Sequence, residues 1–212
     1  VIAGYIVFAE LAEMVRRLAQ HPQVHSRLDA EVRQRAASGP LTLETLLGMR
    51  YTLQVVNEVK RVCAIIPAVF GRARRDFTFD QYQVPAGWMV MWAVLPSHVS
   101  HGVYDNPTQF DPDRFSPERA EDKRHLHAFA PQGAGPAIGH RCPGLDLATV
   151  MMQVFAIVLL RGYSYRLADP EAALDFSKTP PEPSDGLRAT VSTNATASPT
   201  GNTPARASKA TS

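Results

Sequence analysis

The stretch Phe129–Gly144, FAPQGAGPAIGHRCPG, constrains this chain most. Gly133, Gly135, Gly139 and Gly144, with three prolines among them, exclude a regular helix or a ladder strand. The next residues, Gly144–Leu160, are apolar almost all round a helix, which predicts a buried helix. The fold must therefore hold an irregular loop against a core helix. Pro143 suits the first helical position, because its missing N–H has no partner to lose there.

Cys142 then sits at a helix N-terminus, where unpaired N–H groups and the positive end of the helix dipole favour a thiolate. His140 and Arg141 add donors and positive charge beside it. A soft thiolate in a glycine-rich loop suits an axial ligand to haem iron. Two other readings stand beside it. Cys142 can be a small buried hydrophobe. It can also join His125, His127 and His140 in a metal site, although that spacing matches no zinc pattern.

Elsewhere the pattern is mostly helical. The opening run, Val1–Gln20, has no capping residue at its start, which predicts the later part of a helix and an N-terminally truncated chain. It has no charged n-region or cleavage site, and Glu10, Glu13, Arg16 and Arg17 interrupt it too early for a bilayer span. Pro22 ends this helix and opens another, with Val24, Leu28 and Val32 on one face, to about Ser38. A short helix over Leu43–Leu47 and a longer one over Met49–Cys63 follow. Phe77–Phe79 and Trp88–Leu95 predict two small strands. Residues 105–117 are irregular and proline-punctuated, and Tyr163–Arg188 suggests short strands and turns. The organisation predicted is one unit over 1–189. From Thr190 to Ser212 the chain is a Ser/Thr/Ala-rich tail, predicted to be disordered.

Charge excludes one class of function. Lys plus Arg is 22 and Asp plus Glu is 20, a net of +2, too small for a grip on nucleic acid by bulk electrostatics. Two cysteines, Cys63 and Cys142, make no disulfide framework, which favours a reducing compartment or a thiol kept free for chemistry.

Two further features bear on the cysteine loop. Glu58 and Arg61, three apart on a predicted helix, share a face. Arg114 lies in Pro112-Asp113-Arg114-Phe115, within the irregular stretch. An arginine fork from Arg114 can bind Glu58 bidentately and tie that stretch to the helix.

Glu-x-x-Arg, then Pro-x-Arg-Phe, then a glycine-rich Cys-x-Gly loop entering an apolar helix resembles the cytochrome P-450 superfamily, the haem-thiolate monooxygenases. The resemblance runs from Val1 to about Arg188 and implies a mainly α fold with small β-sheets, corresponding to the C-terminal part of the cytochrome P-450 fold. It implies haem b (iron protoporphyrin IX) with Cys142 as proximal ligand, and Glu58, Arg61 and Arg114 as the charged triad shaping the loop. Arg72 and His98 match residues near the haem propionates. Where the family loop ordinarily has phenylalanine and arginine, this chain has Gly135 and His140. Arg141 adjoins the cysteine, Phe129 lies further upstream, and Gly144 follows. His140 is then a candidate for the propionate hydrogen bond. This longer loop resembles that of bacterial fatty-acid peroxygenases.

The first helix lacks the family's acid and alcohol over the distal haem face. It presents Ile6 and Val7 instead, read as pocket lining or core. Ile65–Val69, with Ile66 and Val69, matches a substrate-contacting loop. The implied reaction inserts one oxygen atom from dioxygen into an apolar small molecule. Electrons would come from a separate partner, a ferredoxin or flavoprotein reductase. The alternatives are peroxide-dependent fatty-acid hydroxylation or decarboxylation, and a non-catalytic haem-binding remnant. Placement is expected to be cytoplasmic. Membrane anchors in this family sit at the N-terminus, ahead of the segment present here.

Overall fold

A computed structural model of the chain describes residues 2–63, 65–135, 141–175, 177–178 and 180–194, with the side chains of 2–6 outside that description. The opening run is helix α1, Ile2–Gln20, ending just before His21-Pro22. Pro22 is the first residue of α2, Pro22–Arg35, where its fixed φ costs nothing. Thr42 caps the short α3, Leu43–Gly48, by accepting the Thr45 N–H. Helix α4, Arg50–Val62, has no side-chain cap of its own. Glu31, on α2, supplies one: its carboxylate accepts the Tyr51 and Thr52 N–H groups at 3.0 and 2.7 Å.

The core joins four helices. Met14 and Leu18 of α1, Leu28 and Val32 of α2, and Val55, Val56 and Val59 of α4 pack with Met152, Ala156 and Ile157 of α6, Leu145–Gly162. The last helix is buried on one side only. Leu147, Met151 and Val158 are exposed, which corrects the expectation of burial all round, because α1, α2 and α4 cover a single stripe of it. By length and composition α6 is the one helix among the described residues that could cross a membrane. Its packed stripe is that of a core helix.

The sheets differ from expectation. Four strands stand where the sequence pattern predicts two: β1 Ala68–Arg72, β2 Phe77–Phe79, β3 Tyr82–Val84 and β4 Met89–Ala93. They form two antiparallel pairs, β1 with β4 (Ala68 opposite Ala93) and β2 with β3 (Phe77 opposite Val84). The apolar run Trp88–Leu95 is divided, since Val94–His98 turns into the short helix α5. Further along, β5 Tyr163–Leu167 pairs with β8 Ala189–Thr193, and β6 Leu174–Asp175 with β7 Glu182–Pro183. Strand β8 corrects the tail boundary placed at Thr190. Its β-branched Thr190, Val191 and Thr193 suit a strand, and ladder bonds to β5 order it although its side chains are exposed. Residues 195–212 lie outside the described residues. Helix α2 also stops three residues before Ser38, because Ala36 leaves helical geometry with φ −140°.

Candidate functional site

The order of residues on α4 builds the first part of the site. Glu58 and Arg61 face inward together, fully buried. Arg61 binds Glu58 bidentately, Nε to Oε2 at 2.7 Å and Nη2 to Oε1 at 2.8 Å. Arg114 reaches Glu58 Oε1 through Nε at 3.2 Å, and Glu121 Oε2 through Nη1 at 2.9 Å. The fork expected of Arg114 is therefore made by Arg61, and Arg114 instead bridges two carboxylates. The remaining donors go to backbone. Arg61 donates to the carbonyls of His98, Pro107 and Gln109, and Arg114 to those of Asp105, Asn106 and Gln109. Asp111 N–H donates to Glu58 Oε1. The coil 98–111 has few ladder bonds of its own, so these charged donors supply the partners its buried carbonyls need.

Sequence reasoning missed Glu121 and Tyr104. Glu121 is fully buried at the start of a 3-10 turn, Glu121–Lys123, and nothing in its local pattern marks it. Tyr104 lies under both guanidinium groups, 5.0 Å from that of Arg61 and 5.7 Å from that of Arg114, and its hydroxyl donates to the Ala128 carbonyl.

His98, expected beside a propionate, has another task. Its Nε2 accepts the Ala130 N–H at 3.0 Å, so Nδ1 carries the proton and donates to the Arg61 carbonyl at 3.1 Å. Both ring nitrogens are used by backbone and the residue is fully buried, which corrects the propionate role. The ring joins α4 to the strand-like entry of the cysteine loop and stacks on Phe129, whose own ring meets Phe115 edge-on. Burial pushes the His98 pKa down from 6.5 to about 4. The unfolded chain therefore takes up a proton here that the fold refuses. The His98 contribution to stability is complete above pH 6.5 and is lost as pH falls toward 4. Glu10, raised to about 7 by burial, contributes the opposite slope, so the difference between wild type and His98→Asn isolates the ring. Urea midpoints measured from pH 7 to 4 should show wild type losing on the order of 2–3 kcal/mol that the variant does not lose. Parallel curves would refute the assignment.

The cysteine loop is anchored at its ends. Cys142 N–H donates to the Gln132 carbonyl at 3.0 Å, and the Cys142 carbonyl accepts the Leu145 N–H. Helix α6 starts after Gly144, two residues later than the position expected for Pro143. Gly133 and Gly135 have φ of +89° and +91°, where a side chain would be strained. Gly144 has φ −89°, and a Cβ built there would stand 3.7 Å from Cys142 Sγ, ordinary contact, so the fold itself does not demand glycine at 144. Its absent side chain leaves room beside the sulfur.

Cys142 opens on a cavity of about 220 Å³ lined by Ile65, Ile66, Val69, Val94 and Ala130, with Pro131, Gln132 and Gly133. Two of the expected substrate residues, Ile66 and Val69, are thus brought to the sulfur. Val7 is buried, and the Ile6 side chain lies outside the described residues. Arg141 is exposed, and Arg72 is an exposed residue at the end of β1 whose Nη1 donates to the Gly87 carbonyl. His140 lies outside the described residues. Among the described residues no three His, Cys, Asp or Glu side chains could share a metal ion. One soft sulfur on a wall that is apolar except for Gln132 suits an apolar group ligated through that sulfur alone, and does not suit a metal ion held by several side chains.

Comparison with known proteins gives the same direction. A family model described as cytochrome P450 matches residues 11–187. Cytochrome P450 26B1 of Danio rerio is 32% identical over 182 residues, covering 82% of this chain and 35% of the relative. A putative cytochrome P450 120 of Synechocystis is 32% identical over 172 residues, covering 81% and 38%. A solved structure, retinoic acid bound cyanobacterial CYP120A1, superposes with a TM-score of 0.81 at 28% identity, covering 89% of this chain and 43% of that one. The chain thus spans well under half the length of these relatives.

Proposed function

The chain belongs to the cytochrome P450 family, and from that premise we propose that it is the cofactor-anchoring part of a haem-thiolate monooxygenase, with Cys142 as the iron ligand. The observation that carries this is the placement of the Cys142 sulfur on an apolar cavity, at the end of a loop pinned to a core helix. Bound haem b would supply the iron at which dioxygen is activated, with one oxygen atom going to the substrate.

The protein's own residues do the rest. Cys142 donates electron density through sulfur. The Glu58, Arg61 and Arg114 triad holds coil 98–111 in one shape, and His98 fastens that coil to Ala130 at the loop's entry. Arg72 and Arg141, exposed and cationic, are the candidates to hold the propionates, with His140. Ile66 and Val69 offer apolar contact to substrate on the sulfur's side of the cavity. The substrate class we assign is an apolar molecule, and the retinoic acid in the CYP120A1 structure makes long apolar carboxylic acids the first to try. Electrons would come from a separate ferredoxin or flavoprotein.

A second reading, peroxide-driven oxidation of a fatty acid, is favoured by one observation. Helix α1 reads Ala3-Gly4-Tyr5-Ile6-Val7, with no acid or alcohol where proton delivery would need them. Haem titration of the chain, followed by reduction under carbon monoxide, tests the main proposal. The red-shifted band of thiolate ligation is expected. A band at the position given by histidine ligation, or no uptake of haem, would overturn it. Turnover with peroxide alone would select the second reading, and turnover only with an added reductase system the first.

A further inference from the structure

Lys60 stands between Glu58 and Arg61 in sequence yet belongs to neither of their contacts. It is fully buried. Its Nζ donates to Gln132 Oε1 at 3.0 Å and lies 3.9 Å from Glu10 Oε2, across from it on α1. Both Glu10 carboxylate oxygens are buried without a hydrogen-bond partner. Asp146 is the other carboxylate whose charge acts on Lys60.

This arrangement is costly. A buried amine and a buried carboxyl group 3.9 Å apart recover little of the hydration that their charged forms lose, and burial pushes the Glu10 pKa up and the Lys60 pKa down. Lys60 makes none of the contacts that satisfy its buried neighbours Glu58 and Arg61, and Val55, Val56 and Val59 are the buried apolar residues of the same two turns. Such buried charges serve register or positioning better than stability. What Lys60 positions is visible in the next bond: Gln132, whose side chain it holds, accepts the Cys142 N–H through its carbonyl at 3.0 Å.

We infer that Lys60 is a positioning residue for the Cys142 sulfur, the middle of a buried chain running from Glu10 on α1 through Lys60 on α4 to Gln132 and the Cys142 backbone. The triad shapes the coil before the loop, whereas Lys60 grips the loop itself. The geometry stands without cofactor, and its consequence for iron ligation rests on the haem-thiolate reading above.

The test is amide hydrogen exchange at Cys142 in the chain, for wild type, Lys60→Met, Lys60→Arg and Gln132→Leu. Lys60→Met should speed exchange at Cys142 about tenfold or more, the effect of a lost hydrogen bond to a charged group, while the amides of α2 keep their rates. Lys60→Arg, which can still donate to Gln132, should restore it. Gln132→Leu cuts the same bond from the half-buried loop side, and should repeat the effect should Lys60→Met fail to fold. Unchanged exchange at Cys142 in Gln132→Leu, or in a folded Lys60→Met, would overturn the inference. In haem-loaded protein the thiolate share of the ferrous carbon monoxide band should fall severalfold in Lys60→Met and recover in Lys60→Arg. Absence of that band in wild type would count against the haem-thiolate reading, and the exchange result would still decide the role of Lys60.

Discussion

Replacing Cys142 by alanine is expected to abolish the thiolate band of the ferrous carbon monoxide complex and to remove oxygen-inserting turnover. The loss should exceed the roughly 10–100-fold that follows loss of a supporting group at a metal centre, because on the proposed haem-thiolate reading the ligand itself goes. The fold should hardly notice. The sulfur is half-buried, it borders a cavity, and both backbone bonds of residue 142 are main-chain and survive the substitution. A stability change of about 1 kcal/mol or less is therefore expected, near the low end for a truncated side chain. Thermal melts and spectra of the two proteins should diverge accordingly: nearly superimposable unfolding, wholly different optical signatures. Identical spectra would mean that another group, or none, ligates the iron. A collapse of stability would mean that Cys142 is a core residue first, as an ordinary buried thiol would be.

Those opposite outcomes follow from what the sequence could and could not tell. Proline and apolar period placed α1, α2, α3 and α4 within a few residues, because both act locally. The triad was legible for the same reason: Glu58 and Arg61 share a face by spacing alone. The division of labour within it was not. Which arginine makes the fork depends on where coil 98–111 runs, and that coil has no period to read. Glu121 and Gln132 were invisible because their partners lie at Arg114 and Lys60, on other elements. Lys60 has no local signal either, flanked as it is by Val59 and Arg61. Strands β1 and β8 escaped because each is five residues long and ordered by ladder bonds to a distant segment, Met89–Ala93 in one case and Tyr163–Leu167 in the other. For helix α6, composition reports that a face is apolar, and only the packing of α1, α2 and α4 shows that one stripe of it is covered.

The second large effect is expected at Glu58. Its carboxylate has two buried arginines and one backbone N–H as partners, all at 2.7 to 3.2 Å. Glu58→Gln keeps the shape and removes the charge. An amide has one acceptor oxygen where the carboxylate had two, and its NH₂ points a donor at groups that can only donate. Arg61 and Arg114 remain buried and cationic, with carbonyls still around them but, among the described residues, only Glu121 as a fully buried counter-charge in contact. Breaking a buried pair from one side costs about 3–5 kcal/mol, because the charge left behind has lost its water and gained nothing. For a chain of this length that is a fall in melting temperature on the order of 10 °C. The loss should be located as well as measured: amides of coil 98–111 should exchange faster, and those of α2, which touch none of these groups, should not. Glu58→Asp tests the same idea by distance, since a shortened carboxylate keeps the charge and misplaces it. It should fall between wild type and Glu58→Gln in stability. A drop below about 1 kcal/mol for Glu58→Gln, with coil exchange unchanged, would place the triad among the ion pairs that are seen but contribute nothing. The coil would then owe its shape to Tyr104 and the surrounding packing, and the route from α4 to the cysteine loop would run through His98 and Lys60 alone.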